Sequence, residues 1–125
     1  MSGKSVQEEY APNSICFGCG PSNKEGLQIK SYRTEEGLEM EFECEEKHQA
    51  FPGVINGGLI GSLIDCHGNW TAAIAIMDMN GFDAPQCTVT AKYEVKLKRP
   101  TPFGSKLMLK SRVLGLQKDR AEVII

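Results

Sequence analysis

No stretch of this chain holds the roughly 18 to 20 unbroken apolar residues that a bilayer-spanning helix needs. An excess of positive charge is missing as well. Lys and Arg number 14 against 16 Asp and Glu, for a net charge of -2, so the sequence offers no general basic field to hold nucleic acid by counterion release. Met1 to Asn13 contains no apolar h-region of a secretory signal. Cysteine is too sparse and too scattered for a disulfide framework: there are 5, an odd number, and only Cys16 and Cys19 are close in sequence. These absences leave a soluble, cytoplasmic protein with reduced thiols, no nucleic-acid partner and no membrane partner. The 125 residues, 41% of them hydrophobic, supply one core and not two.

Along the chain, residues 1–13 are polar and without periodicity, which predicts a flexible N-terminal segment ahead of a single domain over 14–125. "CFGCGPSNKEGL" favours tight turns. Leu27 to Thr34 is a short candidate strand. Leu38 to Cys44 alternates, with Leu38, Met40, Phe42 and Cys44 on one face and Glu39, Glu41 and Glu43 on the other, as a half-buried strand does. Gly57 to about Met79 reads as the one long helix, about 34 Å at 1.5 Å per residue. Asn56 is placed to cap its start and "NGFDAP" to stop it. Thr88 to Lys98 alternates over its whole length, with Val89, Ala91, Tyr93, Val95 and Leu97 on one face, and reads as the strongest strand of the chain. After the turn "RPTPFGS", Lys106 to Gly115 and Arg120 to Ile125 complete three strands following the helix. The order implies an α+β domain, an antiparallel sheet packed on one helix.

At 100° per residue, Leu59, Leu63, Trp70, Ile74 and Met77 share the helix face that packs on the sheet. The opposite face holds Gly61, Asp65, Gly68 and Ala72. It is small-sided where a solvent face usually carries Glu and Lys, so it invites close approach by another backbone or a ligand. Asp65 and His67 are about 200° apart around the axis and cannot act as a pair within the helix. His67 falls at the margin of the apolar stripe, where a hydrogen-bonded core role is the ordinary one, which leaves Asp65 as the functional candidate. Cys16 and Cys19 have the C-x2-C spacing of a zinc half-site, which Cys44, Cys66, Cys87, His48 or His67 can in principle complete. No second pair at zinc spacing exists, and the βαβ context of a redox dithiol is missing, so the favoured reading is a turn with packed cysteines, no metal and no cofactor.

Three segments in order, "CFGCGPSNKEGLQIK", "HQAFPGVINGGLIGSLID" and "YEVKLKRPTPFG", resemble the hotdog-fold acyl-CoA thioesterases, in particular the PaaI-like branch. The resemblance implies a hotdog fold, a curved antiparallel β-sheet wrapped around one long central α-helix, in a homodimer or dimer of dimers (a homotetramer) whose active sites lie across the dimer interface. It implies that Asp65 is general base or nucleophile and that Gly58 offers its backbone N–H to the thioester carbonyl. Unpaired N–H groups at a helix start favour a developing oxyanion on independent grounds. Asn56 stands where members often carry histidine. An asparagine caps a helix and orients a carbonyl or water but transfers no proton near neutral pH. The family's late sheet strands run beyond Ile125, so the domain is expected to be short of its last strand.

The activity so implied is hydrolysis of a small or medium acyl-CoA thioester by Asp65, Gly58 and Asn56. Gly57, His48 and Phe51 are the candidate substrate contacts, with Pro52 and Val54 beside Phe51. Lys96, Lys98 and Arg99 meet the coenzyme A phosphates, or else form a solvated strand face with Lys92. Two alternatives remain. One is a hotdog 3-hydroxyacyl thioester dehydratase pairing His48 with Asp65. The other is a non-catalytic acyl-CoA-binding dimer, for which Asn56 is the evidence.

Overall fold

A computed structural model describes residues 1 and 3–125. In chain order the elements are a short helix α1 (Val6–Tyr10), strands β1 (Tyr32–Arg33), β2 (Gly37–Phe42), β3 (Gln49–Phe51) and β4 (Val54–Ile55), the long helix α2 (Gly57–Asn80), and strands β5 (Leu107–Leu116) and β6 (Ala121–Ile124). β1, β2, β5 and β6 form one sheet in that order, with each neighbouring pair antiparallel. β3 and β4 form a small hairpin of their own.

β2 follows the alternation in its sequence. Leu38 and Met40 are fully buried while Glu41 and Glu43 face water, and the strand pairs with β5 from Gly37↔Arg112 to Phe42↔Leu107. Helix α2 starts and stops where its caps dictate. Gly81 closes it at φ 69, a left-handed conformation that costs a glycine little. Its buried face is Leu63, Ile74 and Met77, with Trp70 half-buried between two clusters: Val6, Leu38, Ile74 and Met77 on one side, and Cys19, Ile29, Met40 and Leu63 on the other. Each fully buried side chain of this size contributes about 1.5 to 3 kcal/mol. A helix with three interior glycines is therefore retained by packing rather than by propensity.

The structure departs from the sequence reading in three places. Residues 1–13 include an ordered helix. Ser5 caps α1 in a capping box with Glu8, and Ser5, Val6 and Gln7 are buried. The signal is only one turn long, too short for periodicity to reveal. The strand expected over Leu27 to Thr34 shrinks to Tyr32–Arg33, because Gln28 at φ 53 turns the chain before it. Thr88 to Lys98 is not a strand, so two strands rather than three follow α2. Alternation marks a segment suited to pairing, but pairing needs a neighbour with free N–H and C=O groups. Among the described residues the segment pairs with none of the sheet's four members.

This segment instead lies on the small-sided face of α2 and runs against the helix direction. Thr88 meets Asn69, Thr90 meets Asp65, Tyr93 lies over Gly61 and Leu97 over Gly57. Val89, Tyr93 and Leu97, which share one face of the alternation, are 83%, 53% and 53% exposed. Farther along the same helix face, Gly68 packs against Val123 and Ile125. The face is small because the chain itself crosses it.

A buried polar network joins α1, α2, β2 and β5. The Gln7 side-chain amide donates to Ser31 Oγ at 3.1 Å, and Ser31 Oγ lies 2.8 Å from His67 Nδ1. His67 Nε2 lies 3.3 Å from the Leu38 carbonyl. Thr71 Oγ1 donates to the His67 carbonyl at 2.8 Å and lies 2.6 Å from Ser111 Oγ, which reaches both the N–H and the carbonyl of Leu38. Among the described residues no buried side-chain nitrogen or oxygen lacks a partner.

Candidate active site

At the start of α2, Asn56 Oδ1 accepts from Leu59 N at 3.2 Å, and its carbonyl accepts from Leu59 N and Ile60 N at 3.1 and 3.3 Å. The Asn56 N–H donates to the His48 carbonyl at 2.9 Å, which ties the cap to the preceding loop. The cap thus occupies the third and fourth amides of the helix. Gly57 and Gly58 N–H make no hydrogen bond among the described residues, and both glycines are exposed. Two free donors at the positive end of a helix are suited to an oxygen that gains negative charge. A side chain at Gly58 would press on the cap, with its Cβ only 2.9 Å from Asn56 Oδ1.

Asp65 is half-buried, and Thr90 Oγ1 donates to its Oδ1 at 2.6 Å. Asn69, one turn on, holds the backbone and hydroxyl of Thr88, at 3.2 Å to the carbonyl and 3.0 Å from the hydroxyl. This clamp brings Thr90 to the carboxylate. Thr90 and Asn69 were not among the residues the sequence singled out, since Thr88 and Thr90 fall on the face opposite Val89, Tyr93 and Leu97. A hint was available: threonines are the smallest polar residues of that alternating face, able to lie against a helix. Tyr93 adds a phenol hydroxyl over Gly61, one turn before Asp65.

Both histidines make hydrogen bonds within the fold. His67 is fully buried, and burial pushes its pKa down to about 4 while its bond to the Leu38 carbonyl opposes the shift. A carbonyl only accepts, so Nε2 carries the proton and Nδ1 accepts from the Ser31 hydroxyl. His48 Nδ1 accepts from Glu45 N at 2.9 Å, Nε2 lies 4.0 Å from Glu45 Oε2, and the ring lies against Phe42. What His48 gives the site is its backbone carbonyl, through Asn56.

Of the other candidate substrate contacts, Phe51 projects from the β3–β4 hairpin and is 71% exposed. The turn after the 88–98 segment docks on that hairpin, with Ile55 N on the Thr101 carbonyl and Phe103 N on the Gly53 carbonyl, both at 2.9 Å. Leu97 consequently rests against Gly57, and exposed Lys96, Lys98 and Arg99 follow the chain past the helix start.

Cys66, adjacent to Asp65 in sequence, turns the other way and meets Cys16 and Cys19. The three sulfurs all lie within 4.8 Å of one another. The hydrogen bond shared with Cys66 lowers the Cys19 thiol to about 6 and, together with burial, raises Cys66.

No protein-family profile matches the chain, and no curated protein does. Among solved structures, a thioesterase superfamily protein from Shewanella loihica PV-4 superposes with a TM-score of 0.66 at 33% sequence identity, over 82% of this chain and 75% of that one. A shared fold alone would leave ancestry open, but a third of the residues matching over most of both chains does not, and the chain belongs to the hotdog-fold thioesterase superfamily.

Proposed function

We propose that the protein hydrolyses the thioester of a small or medium acyl-CoA, in the manner of the PaaI-like branch, with a site shared between two copies of the chain. The observation that carries the reading is the free pair of Gly57 and Gly58 N–H groups at the start of a helix that carries, two turns on, an aspartate held by a threonine hydroxyl. The Gly58 N–H would hold the carbonyl oxygen as it becomes an oxyanion. Asp65 would take a proton from the attacking water, and collapse of the tetrahedral intermediate would expel the coenzyme A thiolate, which then takes up that proton. Direct attack by the carboxylate, with the acyl group carried as a mixed anhydride, would use the same two groups.

Seven residues separate Gly58 from Asp65, about 10 Å along the helix. One carbonyl must lie near 3 Å from both its donor and its attacking group, so Gly58 and Asp65 of a single chain are too far apart for the carboxylate to attack it directly. A homodimer that sets the helix start of one copy beside the Asp65 of the other removes the difficulty. The exposed Val89, Tyr93 and Leu97 on the segment beside Asp65 give such a dimer apolar surface to cover. Lys96, Lys98 and Arg99 are placed to meet the coenzyme A phosphates, and Phe51 to contact the acyl group.

The test is release of coenzyme A thiol across a panel of short, medium and aromatic acyl-CoAs. Turnover of at least one above the uncatalysed rate is the expected result. Tight acyl-CoA binding without thiol release would select the non-catalytic binding dimer, the reading favoured by an Asn56 whose oxygen is committed to the helix cap. The dehydratase reading has less support, since the His48 ring is turned to Glu45, with Nδ1 accepting from its N–H. Asn56→Ala should lower stability by about 0.5 to 2 kcal/mol in chemical denaturation and reduce turnover without abolishing it, because the donors at Gly57 and Gly58 are backbone groups.

A further inference from the structure

The thiols of Cys16, Cys19 and Cys66 form a cluster that the thioesterase chemistry does not use. Two come from the "CFGCG" turn and one from α2, so they approach from two separately anchored pieces of backbone. The turn is fixed without them: Gly20 N donates to the Cys16 carbonyl at 2.8 Å, Leu27 N to that of Phe17 at 2.8 Å, and Ile29 N to that of Gly18 at 3.0 Å. Gly18 lies against Cys66 of the helix. A Cβ there would collide with Cys66 Sγ, so the backbone is shaped to leave that sulfur room among the other two.

We propose that Cys16, Cys19 and Cys66 form a three-thiolate site for a thiophilic divalent cation, zinc(II), that staples the Cys16–Gly20 turn to α2. Zinc–thiolate bonds of about 2.3 Å require sulfurs about 3.8 to 4.0 Å apart in tetrahedral to trigonal geometry. Cys16 and Cys66 are already 4.0 Å apart, and no pair exceeds 4.8 Å, so side-chain shifts of about 1 Å complete the triad. Cys16 is exposed and Cys19 is buried. The ion therefore has an entry path on one side, and its fourth position opens to water or to an incoming thiol. Binding is not a redox step: three Zn–S bonds form, and each thiol that is still protonated loses its proton to solvent.

The experiment is titration of the fully reduced protein under anaerobic conditions with cobalt(II) as an optical probe, followed by zinc(II). One cobalt per chain should bind with thiolate-to-metal charge-transfer absorption, and zinc should displace it and raise the melting temperature. Cys16→Ser, Cys19→Ser and Cys66→Ser should each diminish the charge-transfer band and weaken affinity on the order of tenfold or more, whereas Cys44→Ser and Cys87→Ser should leave both unchanged. Far-ultraviolet circular dichroism keeps the comparison to folded variants. Cys16→Ser, at an exposed position, decides the matter even if Cys66→Ser does not fold. Three outcomes would overturn the proposal: no charge-transfer band while five free thiols titrate, a band that depends on Cys44 or Cys87, or one metal per two chains.

Discussion

Asp65→Asn should leave the protein folded and reduce acyl-CoA turnover to near background. The substitution preserves volume, and asparagine can still pair with Thr90 Oγ1, which lies 2.6 Å from the present carboxylate oxygen, so unfolding profiles of the two proteins should nearly coincide. What disappears is the one group on this face able to accept a proton or attack a carbonyl, a loss worth about 10² to 10⁴ in rate for a general base and more for a nucleophile. Undiminished thiol release by the variant would remove Asp65 from the chemistry. A mixing experiment separates the shared site from a self-contained one. Gly58→Pro deletes the other half of the machinery, the N–H donor, without removing an intrahelical hydrogen bond; because its Cβ presses on the Asn56 cap, circular dichroism first establishes that the variant is folded. Mixed after dissociation, two inactive variants of a shared-site dimer should regain activity, since a hybrid dimer contains one site with both Asp65 and Gly58 N–H intact. Two self-contained sites would stay inactive.

Acidification should destabilise the fold between about pH 6.5 and pH 4, ahead of general carboxylate protonation. The cause is His67. Its folded-state pKa of about 4 lies below its ordinary value of 6.5, so within that window the unfolded chain takes up a proton that the folded chain refuses. Stability is fully present above pH 6.5, falls as pH drops through the window, and levels off below pH 4 as far as this residue is concerned. A difference of about 2.5 units corresponds to roughly 3 kcal/mol, as an order of magnitude. The geometry explains the refusal. Ser31 Oγ already accepts from Gln7 and gives its only hydrogen to Nδ1, so a proton on Nδ1 would leave that hydroxyl hydrogen without an acceptor. Urea unfolding at pH 7.5, 6 and 4.5 measures the effect, and His67→Gln should flatten it. An unchanged slope in the variant would assign the acid sensitivity to other groups.

The long helix and β2 were legible in the sequence because their signals are local. Asn56 and Gly81 sit at the two ends of an apolar period, and Leu38 and Met40 alternate with glutamates over enough residues to exceed chance. The same locality explains the errors. α1 is one turn long and holds its place through Gln7 and Ser31, which are 24 positions apart. The 88–98 segment has the strongest alternation in the chain, yet strand formation depends on a neighbour that alternation says nothing about. Asp65 was identifiable as the lone carboxylate on a small-sided face. Thr90 was not, since its hydrogen bond depends on a packing register that Asn69 sets by holding Thr88, 19 residues away. The thiol triad was half visible: C-x2-C announced two members, and only the docking of the turn on α2 selects Cys66 as the third rather than Cys44 or Cys87.

The polar network around His67 also constrains how this sequence can drift. Gln7, Ser31, His67, Thr71 and Ser111 lie on four different elements or loops, yet each satisfies another's donor or acceptor inside the core. Replacing any one of them by an apolar residue strands a partner, at about 1 to 3 kcal/mol for each buried group left unpaired, whereas an apolar replacement of the whole set at matched volume can be close to neutral. The five positions therefore form a single unit of inheritance: across diverged descendants they should be retained together or exchanged together, with mixed combinations rare, although they are spread from position 7 to position 111 of the chain.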